Sequence, residues 1–424
     1  MDDRRQFRDL LPRRPGTAAR GTHSTDMAMI RAALRCLSTT RKSQVKLFTP
    51  GPLNTTRSVK EAMLYDFGSR DPDFGRIVED IKLRLLKTAK VNPRDFASII
   101  VQGSGTFAVE ATLGTAFPQR SDYDRSLLIC ANGAYGERMV KICQILGINH
   151  TVLRYADYEI VQTADVKQAL RENPGVSHFA MVHSETTSGL LNPCADIADA
   201  VHQVNPSISV VVDMMSSFGA VHLDMIDHNI DYLVSSSNKM LQGAPGFAFV
   251  IARLSKLRQC KGNSRSLGLD LYEQWDYQLS NPGQFRFTPP THVISAFYEA
   301  LLEHEQEGGV KARGERYYNN QRILSTEMLK LGFKLYVDPK HQGCVITTFL
   351  EPKHPKFNFK AMYDYLATRG IVIYPGKLSK APSFRLGSIG DLHAEDMIHC
   401  IENIKDAFKF MGVPLPLKEE SETS

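Results

Sequence analysis

The sequence predicts an α/β protein, with a mainly parallel seven-stranded sheet in a large domain and a smaller C-terminal α/β domain. Short β-rich runs alternate with helical stretches over more than two hundred residues, and these runs are almost continuously apolar. Apolar strands separated by helices are typical of a parallel sheet that helices cover on both faces. A change of pattern after residue 300 predicts the second domain.

The elements of the large sheet follow one another between residues 98 and 251. Helical candidates lie between most of the strands, such as Phe107–Phe117 and Tyr135–Leu146. The seven predicted strands are Ser98–Gln102, Leu127–Cys130, Thr151–Arg154, His178–Val182, Ser209–Val212, Tyr232–Ser236 and Phe247–Ile251.

A polar, proline-bearing stretch at Leu279–Thr291 ends this pattern and leads into a long helix that begins near Val293. We divide the chain into a leader at 1–46, a large domain at 47–300, a small domain at 301–415 and a tail at 416–424. For the small domain we predict strands near Phe333–Val337, Val345–Leu350, Ile371–Tyr374 and Phe384–Gly387, and helices at Phe359–Thr368 and His393–Phe410.

The composition excludes several classes of protein. The 424 residues are 42% hydrophobic and 23% charged, close to the averages of folded proteins, which excludes a disordered chain, a collagen-like repeat and a disulfide scaffold. No stretch approaches the ~18 consecutive apolar residues of a membrane-spanning helix. Basic and aromatic residues do not interleave as nucleic-acid binding requires. The seven cysteines are scattered without a C-x-x-C motif, which favours reduced thiols and gives no zinc-type cluster.

The net charge of +5 belongs to the leader rather than to the body of the protein. Residues 1–46 contain 11 basic and 4 acidic residues, so the remainder is nearly neutral. Ile30, Leu34 and Leu37 recur there with helical spacing in an arginine-rich, acid-poor segment. This pattern is typical of a mitochondrial transit peptide, and a disordered tail is the alternative. We expect a mitochondrial location, or otherwise a cytoplasmic one.

Three polar features follow predicted strands, and each alone also has an ordinary structural explanation. A predicted helix begins at Ser104, Gly105 and Thr106, and its first amides can bind an anion. An ordinary turn between strand and helix would explain these residues equally well. Asp213 ends an apolar strand, where α/β sheets bind ligands, although a helix N-cap would also explain it. Lys239 lies between a strand and a Gly/Pro loop, as either a Schiff-base lysine or a solvated turn lysine.

Together, the three features predict a binding site for pyridoxal 5'-phosphate (PLP). The start of the helix would hold the phosphate, and the carboxylate would pair with the ring nitrogen and keep it protonated. The lysine would carry the aldehyde and later move the proton. A phosphate cradle, an acid and a lysine in this order along one sheet are what this cofactor requires.

With these residues, the sequence resembles the class V, fold-type I family of PLP-dependent aminotransferases, from about residue 46 to about residue 413. The blocks around Asp213 and Lys239 are shared across the family. The blocks that begin at Gln102 and Tyr374 point to the branch that uses phosphonates. The blocks are Thr49–Leu53, Gln102–Glu110, Asn132–Arg138, His183–Gly189, Asp213–Gly219, Ser237–Lys239, Gln242–Phe247, Tyr374–Lys377 and Phe384–Gly387.

The resemblance implies a role for each residue of the candidate site. Lys239 and Asp213 would be the catalytic residues, through a Schiff base to the cofactor and a pair with its ring nitrogen. Arg385 would bind the anionic end of the substrate. The other implied cofactor contacts are Ser104, Gly105, Thr106 and Asn238 at the phosphate, Tyr135 and Met215 on the ring faces, Thr187 near the ring hydroxyl, and Thr288 at the phosphate of the neighbouring subunit.

The resemblance also implies a reaction in phosphonate metabolism, in which the amino group of 2-aminoethylphosphonate passes to pyruvate to give phosphonoacetaldehyde and L-alanine. The role of Thr288 implies a homodimer with shared active sites. Two alternatives stay open: an alanine–glyoxylate or serine–pyruvate aminotransferase with the same cofactor residues, and an inactive scaffold of the same fold. We expect no metal, no nucleic acid and no membrane partner.

Overall fold

Seven apolar strands form the central sheet in the computed structural model of the chain. Alternate side chains along a strand point to opposite faces, so Leu127 and Ile129 pack in one core while Leu128 and Cys130 pack in another. The strands, in chain order, are β1 (Lys46–Leu47), β2 (Phe96–Gln102), β3 (Ser126–Ala131), β4 (His150–Arg154), β5 (Val176–Val182), β6 (Ser184–Glu185), β7 (Leu190–Leu191), β8 (Ser209–Asp213), β9 (Tyr232–Ser236), β10 (Phe247–Arg253), β11 (Ile346–Leu350), β12 (Ile371–Val372), β13 (Tyr374–Pro375) and β14 (Ser383–Gly387).

The structure describes residues 45–118, 125–376 and 381–418. The predicted leader up to residue 44, Lys377 and the predicted tail beyond residue 418 lie outside the described residues. In the described part, no helix has both the length and the apolar character that crossing a membrane requires. The six cysteines of this part are buried, and none of them forms a disulfide there.

The large sheet has the strand order β2-β10-β9-β8-β5-β3-β4. The neighbours β9–β8, β8–β5, β5–β3 and β3–β4 are parallel, and β10 alone runs against both of its neighbours. The predicted mainly parallel seven-stranded sheet is therefore confirmed. Because parallel strands end at the same edge, the carboxyl ends of β8 and β9 lie side by side, with Asp213 opposite Val234.

Helices follow most strands of the large sheet, as the sequence predicts. The long helix predicted to begin near Val293 is confirmed, since it runs over Thr291–Glu307 and ends where Gly308 adopts a φ of +112°. The helices are α1 (Arg57–Glu61), α2 (Pro72–Thr88), α3 (Gly105–Ala116), α4 (Ala134–Leu146), α5 (Thr163–Glu172), α6 (Cys194–Val204), α7 (Leu254–Leu257), α8 (Leu271–Ser280), α9 (Thr291–Glu307), α10 (Gly309–Lys330), α11 (Phe359–Thr368) and α12 (Ala394–Met411), with 3₁₀ turns at Ala62–Leu64, Arg258–Cys260 and Pro339–His341.

A further core surrounds the antiparallel sheet β11-β14-β13, where Phe333 contacts Phe349, Phe384 and Phe408 edge to face. The strand predicted at 333–337 is wrong, since only Leu335 forms an isolated bridge there while Phe333 fills the core. The run predicted at 371–374 is divided, because β12 pairs with β1 and β13 pairs with β14. The domain boundary at residue 300 stays a prediction.

Candidate active site

A cavity of about 190 Å³, open to solvent, lies where β8 and β9 end and where α3 and α4 begin. It brings together eight of the residues that the sequence predicts for the cofactor. Four further residues line it that sequence reasoning missed. The predicted residues are Ser104, Gly105, Thr106, Tyr135, Asp213, Met215, Asn238 and Lys239, and the additional ones are Val109, Arg138, Met139 and Ser236.

The start of α3, where an anion cradle is predicted, lines the cavity. The first amides of a helix have no acceptor within the helix and carry partial positive charge, which suits a phosphate. Gly103 makes the turn into the helix with a φ of +107°. A Cβ atom on Gly105 would lie 2.4 Å from Sδ of Met215, so only glycine allows this side chain to approach the cradle.

Arg138 adds a positive charge to the cradle. Its Nη1 donates to Oγ1 of Thr106 at 3.0 Å, and its guanidinium carbon lies 4.8 Å from the centroid of the Tyr135 ring. Arg138 follows Tyr135 by three residues in α4, and residues three apart lie on the same face of a helix. This spacing is the signal that could have identified Arg138 from the sequence.

Asp213 is a buried carboxylate at the end of β8, with 5% of its surface exposed. Its Oδ1 accepts a hydrogen bond from the backbone N–H of Met215 at 2.8 Å. Burial raises the pKa of Asp213 to about 7; the charge of Glu185 adds to this effect, while Arg138 and Lys239 oppose it. The carboxylate is therefore placed where a cationic group would relieve the cost of its burial.

Lys239 lies in the turn after β9, against the N-terminal loop of the described chain. Its Nζ donates to the carbonyl oxygen of Pro50 at 2.6 Å. A Cβ atom on Gly51 would lie 2.7 Å from that nitrogen, so the loop approaches the lysine through a glycine. The block at 49–53 was recognised in the sequence, but its contact with Lys239 was not.

The predicted residues Thr187 and Arg385 are not among those that line the cavity, although both are connected to segments near it. Thr187 is buried, and its Oγ1 accepts a hydrogen bond from the N–H of Ala134 at 2.8 Å, directly before Tyr135. Arg385, in β14, is 3% exposed, and its Nη1 donates to the carbonyl oxygen of Thr186 at 2.8 Å. Its Nε donates to the carbonyl oxygen of Pro375 at 3.1 Å, and burial lowers the pKa of Arg385.

Thr288 does not join the cavity of its own chain. It lies in the exposed segment before α9, and its side chain is not among those that line the cavity. Its predicted role concerns a second subunit and stays a prediction, as do the roles of the other site residues.

Comparison with known proteins identifies the relatives of this chain. The model of the aminotransferase class-V family matches residues 73–392. A 2-aminoethylphosphonate–pyruvate transaminase of Bacillus cereus is 46% identical over 358 residues, which are 84% of this chain and 96% of the relative. The protein of the same name from Bacillus mycoides is 44% identical with the same coverage.

Solved structures of aminotransferases share the fold. Alanine–glyoxylate aminotransferase from Nostoc sp. superimposes with a TM-score of 0.78 at 24% identity, over 87% of this chain and 97% of that one. Pyridoxamine–pyruvate aminotransferase from Mesorhizobium loti gives a TM-score of 0.78 at 20% identity, over 88% of this chain and 95% of that one. At these identities the likeness concerns the fold alone.

The prediction of a mitochondrial location is wrong. The relatives with high identity are bacterial proteins, and bacteria have no mitochondria. The basic segment on which the prediction depends also lies outside the residues that the family model matches. An arginine-rich, acid-poor composition is therefore an insufficient signal by itself.

The match to the family model covers about three quarters of the chain. The relatives from Bacillus match this chain over almost their whole length. Aminotransferases of this class depend on PLP in general, and the sheet and cavity described for this chain have the arrangement expected of them. The chain belongs to the class-V aminotransferase family.

Proposed function

We propose that the protein transfers the amino group of 2-aminoethylphosphonate to pyruvate with PLP as cofactor, giving phosphonoacetaldehyde and L-alanine. The observation that carries the proposal is the single cavity in which Lys239, Asp213 and the start of α3 meet. The name and the 46% identity of the Bacillus cereus relative support the choice of substrates.

The residues of the cavity fit PLP. The hydroxyl of Ser236 lines the cavity and is buried without a hydrogen-bond partner in the described chain, so it has capacity for a polar ligand. Ser104, Gly105, Thr106 and Asn238 would hold the phosphate. The other residues that would hold the cofactor are Tyr135 and Met215 on its ring, Thr187 at its hydroxyl, Asp213 at its nitrogen, and Lys239 at its aldehyde.

When bound, PLP supplies an aldehyde that condenses with amines and a ring that stabilises negative charge on the adjacent carbon. The work of the protein is to move protons and to exclude other reactions. The amine-bearing carbon of 2-aminoethylphosphonate carries no carboxylate, so proton loss is the step open to it. Lys239 Nζ would take that proton and later return it, and the carbonyl oxygen of Pro50 would hold the amine at 2.6 Å in between.

Asp213 supports this chemistry through its charge. In its buried position the carboxylate has a pKa raised to about 7, mainly by desolvation. A protonated ring nitrogen beside it would lower that pKa again, so the cation and the carboxylate would stabilise each other. Asp213 would thereby hold one proton on the ring nitrogen throughout the reaction.

Arg385 would bind the acidic end of both substrates. Two of its N–H groups are fixed by the carbonyl oxygens of Thr186 and Pro375, which sets the orientation of the guanidinium plane. The planar fork pairs with a phosphonate as well as with a carboxylate, through two parallel charge-assisted hydrogen bonds. One arginine can therefore serve two acids of different geometry.

We also infer a homodimer with shared active sites. Exposed apolar side chains cluster near the cavity: Phe107 is 49% exposed, Leu267 74% and Phe287 46%. Phe107 and Phe287 line one groove, and the exposed Thr288 follows directly in the chain. An apolar surface of this kind suits a second copy, whose phosphate cradle Thr288 would then reach. Analytical ultracentrifugation should give twice the monomer mass, and a monomer at micromolar concentration would contradict the inference.

The test of the function uses the absorbance of the bound cofactor. Addition of 2-aminoethylphosphonate alone should convert the visible band to the shorter-wavelength band of the amine form, and pyruvate should restore it. Lys239→Ala should abolish the visible band and turnover. Lys256→Ala, which changes a half-buried lysine of α7 that is paired with Asp231 at the other end of the strands, is the matched control and should change neither.

The same absorbance measurement also discriminates between possible amino-group donors. A band that 2-aminoethylphosphonate leaves unchanged, but that serine or alanine with glyoxylate interconverts, would indicate an alanine–glyoxylate or serine–pyruvate aminotransferase. Protein that takes up no PLP at all would indicate an inactive scaffold.

A further inference from the structure

Glu185 is a fully buried carboxylate that has no part in the proposed reaction, yet it contacts two proposed cofactor residues. Its Oε2 accepts from the backbone N–H groups of Tyr135 at 3.2 Å and Gly136 at 3.3 Å. Its Oε1 accepts from the N–H of Thr187 at 3.1 Å and from the hydroxyl of Thr187 at 2.5 Å. Both oxygens face only donors, as an ionised carboxylate requires, since it can accept hydrogen bonds but not donate them.

These hydrogen bonds join two segments that are about fifty residues apart in the sequence. One is the first turn of α4, which presents Tyr135. The other is the tight β6–β7 hairpin, in which Glu185 pairs with Leu190 and the loop between them carries Thr187. The N–H of Ala134 closes the connection by donating to Thr187 Oγ1.

The surroundings of the carboxylate are built to receive it. A Cβ atom on Gly133 would lie 2.4 Å from Cδ of Glu185, so the residue that precedes α4 leaves room for the carboxylate only as glycine. The N-terminus of α4 favours a negative charge at this place. Burial raises the pKa of Glu185, while its four hydrogen bonds act in the opposite direction.

We propose that Glu185 is a positioning residue that holds Tyr135 and Thr187 at one fixed spacing, so that the ring of PLP meets a preformed surface. The inference rests on the proposed function, because it concerns the contacts proposed for the cofactor. Glu185 would act through these two residues and would not itself touch the reacting atoms.

The substitution Glu185→Gln tests this role with almost no change in volume. A glutamine replaces one acceptor oxygen by an NH₂ group, which cannot accept a hydrogen bond. At the Oε2 position this group would face two backbone N–H groups, and both hydrogen bonds to α4 would be lost. At the Oε1 position it would lose the bond from Thr187 N–H and could only donate to the Thr187 hydroxyl, so the substitution loosens α4 or Thr187 in either orientation.

The matched control is Asp231→Asn. Asp231 is equally buried, but it lies before β9 at the amino end of the parallel strands, where it pairs with Arg253 at 2.8 Å and accepts from Val210 N–H. Both variants remove the charge of one buried carboxylate. Only Glu185 is connected to the proposed cofactor residues.

The experiment measures three quantities on full-length protein: the dissociation constant of PLP, the visible circular dichroism per bound cofactor, and the thermal midpoint without cofactor. Glu185→Gln should raise the dissociation constant about tenfold or more, as expected for lost positioning contacts, and reduce the visible dichroism. Asp231→Asn should lower the thermal midpoint and leave the two cofactor quantities at wild-type values.

Wild-type PLP affinity and visible dichroism in Glu185→Gln would overturn the inference while leaving the proposed function intact. Wild-type protein that binds no PLP would refute both, so the two failures are distinguishable. If Glu185→Gln does not fold, Gly133→Ala displaces the carboxylate without removing its charge. Unchanged affinity and dichroism in that variant would equally overturn the inference.

Discussion

The ionisation of Asp213 should destabilise the protein when no cofactor is bound, and Asp213→Asn should remove this effect. The carboxyl is buried, and its pKa is raised from 3.8 to about 7, chiefly by desolvation. A raised pKa means that the native state keeps a proton that the unfolded chain has already released. Stability is therefore lost as the pH rises from about 4 to about 7, and then stays constant.

The size of this loss in the free energy of unfolding follows from the width of the pH range between the two pKa values of Asp213. Each pH unit over which only the native state holds the proton corresponds to about 1.4 kcal/mol. The window between 3.8 and about 7 therefore gives roughly 4 kcal/mol above pH 7. Between pH 5 and pH 8 the change is roughly 3 kcal/mol, because about two pH units of the window lie in that range.

The assay is urea unfolding of cofactor-free wild type and Asp213→Asn at pH 5 and pH 8, at one protein concentration. The variant should gain on the wild type by roughly 3 kcal/mol between the two pH values, since asparagine does not ionise. Saturating PLP should stabilise the wild type by mass action and should stabilise the variant far less. A stability difference that is the same at pH 5 and pH 8 would refute the reasoning.

Three further substitutions test the remaining parts of the site. Gly51→Ala puts a methyl group 2.7 Å from Lys239 Nζ and should slow the appearance of the visible cofactor band when PLP is added. The control Gly262→Ala changes a glycine that is also left-handed but has open space around it, and it should not slow the band. Equal rates of band appearance in the two variants would contradict the contact between Gly51 and Lys239. Arg385→Lys keeps the positive charge but loses the two parallel N–H donors of the guanidinium, so steady-state kinetics should show KM for both substrates raised about tenfold or more. An unchanged KM would exclude Arg385 as the residue that binds the acidic end of the substrates. Arg138→Gln should raise the dissociation constant of PLP about tenfold in equilibrium dialysis, because one charge-assisted hydrogen bond is lost. The thermal midpoint of the cofactor-free protein should change little. An unchanged dissociation constant would place Arg138 outside the phosphate site.

The large sheet and the edge at which the candidate site lies could be predicted from the sequence because they depend on local patterns. Each apolar strand is recognisable by itself, and a parallel arrangement follows from the helices between strands. The residues that end two such strands must then meet at one edge. Asp213 and Lys239 were found in this way, and the pairing of β8 with β9 brings their strands together.

The failures arise where tertiary contacts override local patterns. The apolar run at 333–337 has the composition of a strand, but its aromatic side chain is used in a core with Phe349 and Phe384. The long helix predicted to begin near Val293 is confirmed as α9, but the prediction gave no end, which the left-handed conformation of Gly308 sets. A glycine in a helical pattern can be tolerated or can end the helix, and the pattern alone does not decide which.

Glu185 shows a different limit of sequence reasoning. Its block at 183–189 was recognised, but a glutamate among polar residues after an apolar strand resembles a solvated turn residue. Two of its four donors belong to a segment about fifty residues away, and no local pattern records that contact. By contrast, Arg138 lies one turn from Tyr135, so helical geometry alone could have placed it beside the cradle.

The groups at this edge of the sheet share one property, which is that each of them disfavours folding by itself. Asp213 ionises at a cost in a desolvated position, Ser236 buries a hydroxyl without a partner in the described chain, and Glu185 needs four donors to be tolerated. The amino end of the same strands is built differently, since Asp231 there has Arg253 as its partner. Selection for stability would favour the second arrangement at both ends. Asp213 and Ser236 both line the cavity, and a ligand of matching charge and hydrogen-bonding capacity would satisfy them. Their position is therefore an argument for ligand binding that is independent of the family resemblance.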